Sequence, residues 1–126
     1  NAGNKTAASN MSLAYRKGDG VEVNIEKSIE WAIKAAELGD DDRIFQYTVA
    51  YFNGEDPVTE DKAKAVEFFV LAANAGSSTA MENLGVCYNN GYGVALDKNK
   101  AIEWFEKAAK EGGSKKAMDN LEDLYP

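Results

Sequence analysis

The chain has 126 residues, 44% hydrophobic and 28% charged, which is enough apolar material for a packed core and too much for a disordered chain. Its formal net charge of −7 disfavours nucleic acid and anionic lipid as partners, since both are bound through clustered Lys and Arg. The absence of histidine and the single cysteine, Cys87, exclude histidine-dependent catalysis, nearly all zinc sites and an internal disulfide. No apolar run approaches the roughly 20 residues of a membrane span, so we expect no membrane insertion.

A unit of 36 or 37 residues recurs along the chain. Aligning the sequence with itself superposes four tyrosines, three large aromatics, three Ala-Ala pairs and three glycines: Tyr15, Tyr51, Tyr88 and Tyr125; Trp31, Phe68 and Trp104; 35–36, 72–73 and 108–109; Gly39, Gly76 and Gly112. Because several independent columns agree at one shift, the sequence predicts a repeat architecture.

Each repeat is predicted to form two helices separated by a glycine turn. In the first repeat (7–39), the second helix is expected to start after Asn24. In the second repeat (43–76), the corresponding helix is expected to start after Asp61. In the third repeat (80–112), the first helix is expected to end near Asn90, and the second helix is expected to start after its N-cap Asp97 and to be closed by Gly112. A lone helix over 115–125 then caps the array, and residues 1–126 form a single domain.

The third repeat resembles a known family most closely. Its pattern is Ala80-x3-Leu84-Gly85-x2-Tyr88-x2-Gly91-x-Gly93-Val94-x2-Asp97-x2-Lys100-Ala101-x2-Trp104-Phe105-x-Lys107-Ala108-Ala109-x2-Gly112. This closely resembles the Sel-1-like repeat, a longer relative of the tetratricopeptide repeat. The first repeat departs from the pattern with Met11-Ser12 in place of Leu-Gly, and the second departs furthest. The resemblance implies an all-α, short right-handed α-solenoid of about three and a half repeats, or about seven helices, with the first helices on its concave side.

The second repeat carries extra apolar residues. Phe45, Val49 and Phe52 are spaced by four and three residues on a helix whose other side is already apolar. With Leu13 and Val86 they are expected to form an apolar centre on the concave face, edged by polar residues at neighbouring positions: Asn10, Arg16, Gln46, Asn53, Glu82, Asn83 and Asn89. Deeper burial in a central repeat is the alternative explanation. Phe52, nearest the helix end, is the residue that we expect to be most exposed.

No catalytic, cofactor-binding or metal-binding set emerges from the sequence. Gly91 and Gly93 indicate a turn and not a phosphate loop, because no strand precedes them. The acidic run 40–42 is expected to cap the following helix, since the spacing of a calcium loop is absent. Cys87 aligns with Ala14 and Ala50, which predicts a small buried thiol.

The sequence and the resemblance together predict a non-catalytic adaptor that binds another protein or peptide on its concave face. The chain is expected to be a monomer. The family that the chain resembles includes bacterial immunity proteins that block a toxin, and the negative net charge of the chain would suit a basic partner. A small-molecule binder or a carboxylate-based hydrolase using the concave groove is the alternative. The residues leave the compartment open, although bacterial relatives favour the periplasm or secretion. Because the chain starts with Asn, we expect a removed leader or a longer parent protein.

Overall fold

The computed structural model describes residues 2–124 and contains in that range seven α-helices and no β-strand. The helices are α1 (Ala2–Lys17), α2 (Ile25–Glu37), α3 (Asp42–Asn53), α4 (Lys62–Asn74), α5 (Ser78–Asn90), α6 (Lys98–Gly112) and α7 (Lys115–Leu124). The predicted all-α class and helix number are confirmed. Tyr125, the last of the aligned tyrosines and the end of the predicted cap, lies outside the described residues.

The helices stack in chain order as a short α-solenoid. Helices α1 and α2, α3 and α4, and α5 and α6 form pairs, and each pair packs on the next through α2 with α3 and α4 with α5. Helix α7 packs on α6. Since an amphipathic helix pair cannot bury its apolar face alone, each pair supplies part of the core of its neighbour. None of the described helices is long and apolar enough to cross a membrane.

Local side chains determine where the second helices begin. The side-chain oxygens of Asn24, Asp61 and Asp97 accept hydrogen bonds from the backbone N–H three residues later, at 3.1, 3.0 and 3.1 Å. These bonds satisfy donors that have no partner inside the helix. The predicted N-caps are therefore confirmed.

The glycine that caps α6 is one residue later than predicted. Gly112 belongs to α6, and Gly113 is the residue with left-handed backbone that ends the helix. A Cβ on Gly112 would overlap the side chain of Ser78 in α5. Gly112 therefore allows close approach of two helices, and the turn falls on the second glycine of the pair.

Small residues let the helices approach, and aromatics fill the remaining space. The alanines Ala32, Ala36, Ala73, Ala101 and Ala108 are at most 2% exposed. Among the aligned aromatics, Phe68 is buried, whereas Trp31 and Trp104 are only partly buried. Trp31 and Trp104 are therefore less buried than Phe68 at the same repeat position. Phe105, the residue after Trp104, occupies the interior.

A pair of coupled positions explains how the first repeat tolerates its departure from the Leu-Gly pattern. In the third repeat, Gly85 leaves space for the ring of Phe105, which lies 2.5 Å from where a Cβ would be. In the first repeat the corresponding residues are Ser12 and Ala32, and both are buried. A size increase on one helix is thus matched by a decrease on its partner.

The buried hydroxyl of Ser12 is satisfied by a network that crosses two repeats. Ser12 Oγ donates to the carbonyl oxygen of Ser28 at 2.8 Å, and Ser28 Oγ donates to that of Ser12 at 2.7 Å. Tyr47 Oη in α3 donates to Ser28 Oγ at 2.7 Å. Because buried hydroxyls are costly without partners, this network ties α3 to the first helix pair in one arrangement.

Candidate functional site

A groove lies between α3 and α5. Helix α1 approaches α3 more closely than α3 approaches α5, and the wider space is a cavity of about 360 Å³. Its walls come from both first helices, with one residue from α4 and one from the turn after α5: Phe45, Val49, Phe52, Asn53, Phe69, Asn83, Val86, Cys87 and Tyr92. We call this cavity the apolar groove.

The groove combines accessible and half-buried apolar side chains. Phe45 is 37% exposed, whereas Phe52, Val49 and Val86 are half-buried. The expectation that Phe52 is the most exposed of the group is therefore wrong. Its ring meets that of Tyr92 edge-on at 5.7 Å, and Lys62 Nζ lies 4.8 Å from its centroid. These neighbours cover Phe52 because the turn after α5 folds back over the end of α3.

A close backbone contact places Tyr92 at the groove. A Cβ on the next residue, Gly93, would overlap the carbonyl oxygen of Lys62 and lie 2.6 Å from its carbonyl carbon. Only a residue without a side chain lets the turn rest directly on the start of α4. The contact between this turn and α4 therefore helps to fix the position of the Tyr92 ring beside Phe52.

Several of the predicted site residues lie outside the apolar groove because they have partners elsewhere. Arg16 Nη1 donates to Gln46 Oε1 at 3.1 Å and its guanidinium lies over the ring of Tyr47, so both polar residues link α1 to α3. Ser114 donates to Glu82, and Lys98 Nζ donates to Asn89 Oδ1 at 3.0 Å. The half-buried Leu13 belongs to α1 and also lies outside the groove.

The remaining predicted residues come together. The residues that line the apolar groove as predicted are Phe45, Val49, Phe52, Asn53, Asn83 and Val86, whereas Asn10 of α1 lies outside it. Phe69 was absent from the predicted site, because its position on a second helix gave no sign that it reaches between two first helices. Tyr92 is also outside the predicted site, because its only signal in the sequence is an aromatic residue at a turn where the first repeat has Asp19 and the second has Glu55.

The groove continues toward the N-terminal ends of α3 and α5. A second cavity, of about 440 Å³, is lined by residues of both helix starts: Asp41, Asp42, Arg43, Phe45, Gln46, Ser77 and Thr79. Because Phe45 lines both cavities, they adjoin along one side of α3. We call this second cavity the acidic end.

The acidic run before α3 caps the helix differently from the prediction. Asp41 is at the cap position but its side chain makes no capping hydrogen bond. Asp40 Oδ1 instead accepts from the backbone N–H of Asp42 at 3.2 Å. Only one of the three carboxylates therefore bonds to the helix start, and no group of residues within 2–124 is arranged to hold a metal ion.

Cys87 forms part of the groove floor as a protonated thiol. It is 2% exposed, and burial raises its pKa to about 11 because the thiolate would lose its hydration. At neutral pH the side chain behaves as a small apolar group. The predicted buried thiol is confirmed.

Comparisons with known proteins agree on one family. A family model described as the Sel1 repeat matches residues 6–40, 45–77 and 78–113. A Sel1 repeat protein from Oxalobacter formigenes is 36% identical, with 97% of this chain and 90% of that chain covered and a TM-score of 0.71. A search of the curated proteins found no match.

Two further solved structures are similar. The c5321 protein, described as a protective antigen present in uropathogenic Escherichia coli strains and displaying an SLR fold, is 30% identical with a TM-score of 0.70. The match covers 96% of this chain but 26% of that longer protein. Helicobacter pylori cysteine rich protein B is 24% identical over 94% of each chain, with a TM-score of 0.65, which shows a shared fold.

Proposed function

Because the chain belongs to the Sel1 repeat family, whose members are generally protein-interaction modules, we propose that it is a non-catalytic module that binds a basic polypeptide in the apolar groove. The observation that carries the proposal is the cavity of about 360 Å³ between α3 and α5. Its apolar walls are open to solvent through Phe45. A buried apolar centre with polar residues at its edge is the usual composition of a binding surface.

Two asparagines favour a polypeptide over a ligand that has no hydrogen-bonding groups. Asn53 lines the groove from α3 and Asn83 lines it from α5. A carboxamide can donate and accept hydrogen bonds, as a peptide unit does. A polypeptide could therefore insert an apolar side chain between the helices while its backbone pairs with these two amides.

The charge of the chain favours a basic partner. The net charge of −7 would speed encounter with a positively charged protein and disfavour acidic competitors. A toxin that the chain inhibits is one partner with this property, as the family resemblance suggests.

A carboxylate-based hydrolase receives no support from the groove. Such an enzyme needs two carboxyl groups close to the substrate, one of them with a raised pKa. The residues that line the apolar groove include no aspartate or glutamate, and Asp41 and Asp42 line only the adjoining acidic end. Sel1 repeat proteins are, in addition, generally non-enzymatic.

The proposal is tested by a neutral substitution in the groove. The immobilised chain, a Phe45→Asn variant and a Val23→Asn control are used to capture proteins from an extract of the source organism. Val23 is 59% exposed and lies in the α1–α2 turn, so the control makes the same change away from the groove. Asparagine is chosen because an added carboxylate would itself attract a basic partner.

Titration calorimetry with the purified captured protein then gives the result. We expect Phe45→Asn to weaken binding at least tenfold and Val23→Asn to leave it within twofold, with both variants melting close to the parent chain. Equal binding by all three proteins would show that the partner does not use the groove.

A further inference from the structure

The groove has two chemically different ends on the same side of α3. The C-terminal half of α3 contributes Val49 and Phe52 to the apolar groove, and its start contributes Asp41 and Asp42 to the acidic end. Phe45 lies between them and lines both. A ligand that extends along α3 from the apolar groove therefore reaches the acidic end.

The carboxylates at the acidic end are available to a ligand. Neither Asp41 nor Asp42 forms an ion pair with a described residue. Arg43, the one cation in this cavity, uses its Nε to donate to Ser9 Oγ of α1 at 3.2 Å. Its side chain is therefore tied to the first repeat, and the two aspartates outnumber the one arginine among the residues that line the cavity.

Resting on the proposed function, we infer that the bound segment carries a bulky apolar side chain for the apolar groove and a Lys or Arg for the acidic end. Asp42 and Val49 are seven residues apart on one helix, which is about 10 Å at 1.5 Å per residue. An extended segment covers that distance in about three residues, and a helical segment in about seven. The partner is thus recognised by a cation and an apolar anchor at a set spacing.

Charge complementarity sets the direction in which the segment lies. The cation is placed beside the half-buried Asp41 and the exposed Asp42, whose carboxylates would form charge-assisted hydrogen bonds with it. The apolar anchor enters between Val49 and Val86, where the walls are apolar. The reverse orientation would bury a cation against Phe69 and Cys87 without a counter-charge, which is costly.

The test uses a defined probe. A phage-displayed library of random 12-residue peptides is selected on the immobilised wild-type chain at low ionic strength. We expect enriched peptides to share an aromatic or large aliphatic residue and a Lys or Arg three to four residues away, or about seven residues away in helix-forming sequences. Synthetic copies are then titrated against variants of the chain by fluorescence anisotropy.

Two double variants separate local from overall charge. The Asp41→Asn, Asp42→Asn double variant removes two negative charges from the acidic end. The Glu122→Gln, Asp123→Asn double variant removes two negative charges from α7. We expect the first to weaken peptide binding about tenfold at low salt, and the second to change it less than twofold. Raising the salt concentration should narrow the difference, because surface charge interactions are screened.

The outcomes distinguish this inference from the proposed function. Peptides that lack a cation, or that bind the Asp41 and Asp42 double variant as tightly as wild type, overturn the inference. If those same peptides lose binding to Phe45→Asn, the proposed function stands. Failure to enrich any peptide, or undiminished binding to Phe45→Asn, overturns both.

Discussion

Substitution of Gly93 by alanine tests whether the turn after α5 is held by direct backbone contact with α4. Gly20 occupies the same place in the first repeat and provides a matched control. Both residues are in the left-handed region, with φ of +71° at Gly93 and +78° at Gly20. An alanine there costs about 1–2 kcal/mol in backbone strain at either site.

The surroundings of the two glycines differ. A Cβ at Gly20 would meet no atom within 4 Å, whereas at Gly93 it would overlap Lys62 and lie 2.9 Å from the backbone nitrogen of Ala63. These are backbone atoms, so the overlap cannot be relieved by rotating a side chain. Overpacking of this kind typically costs a further 1–3 kcal/mol, so Gly93→Ala should lose about 2–5 kcal/mol and Gly20→Ala about 1–2 kcal/mol.

Urea unfolding measures the difference. The free energy of unfolding is taken from circular dichroism at 222 nm and from tryptophan fluorescence, and agreement of the two probes checks that unfolding is cooperative. We expect Gly93→Ala to be less stable than Gly20→Ala by about 1–3 kcal/mol, the size of the added overlap. Equal losses in the two variants would refute the argument that the turn rests on the α4 backbone.

Three further predictions test the packing of the third repeat. Gly85→Ala should destabilise by about 1–3 kcal/mol because its methyl group would overlap the Phe105 ring, as chemical denaturation would show. Phe105→Ala should cost about 3–5 kcal/mol and Trp104→Ala clearly less, since only the first is fully buried; similar melting temperatures would contradict this ranking. Burial raises the pKa of the Cys87 thiol from 9.0 to about 11. The stability that this shift contributes is present below pH 9 and is lost as the pH rises from 9 through 11, because the thiolate forms in the unfolded chain at a lower pH than in the folded chain. Relative to Cys87→Ala, the free energy of unfolding should therefore fall by about 2 kcal/mol between pH 9 and 11, and parallel pH profiles would show that the thiol is not desolvated.

The sequence alone was sufficient to predict the repeat, the starts of the second helices and the buried thiol. Asn24, Asp61 and Asp97 determine helix starts through bonds to residues three positions away. Such interactions are local, so they can be predicted from residues that are close together in the sequence. The recurring apolar positions then require stacked pairs, because no other arrangement buries them.

The site depended on the tertiary structure. The spacing of Phe45, Val49 and Phe52 placed them on one helix face, but it could not show that Phe52 is covered by Tyr92 or that Phe69 closes the groove from α4. Those contacts join residues more than fifteen positions apart. Their distances are determined by how closely successive helices pack, which depends on side-chain volumes across the interface and not on periodicity within either helix.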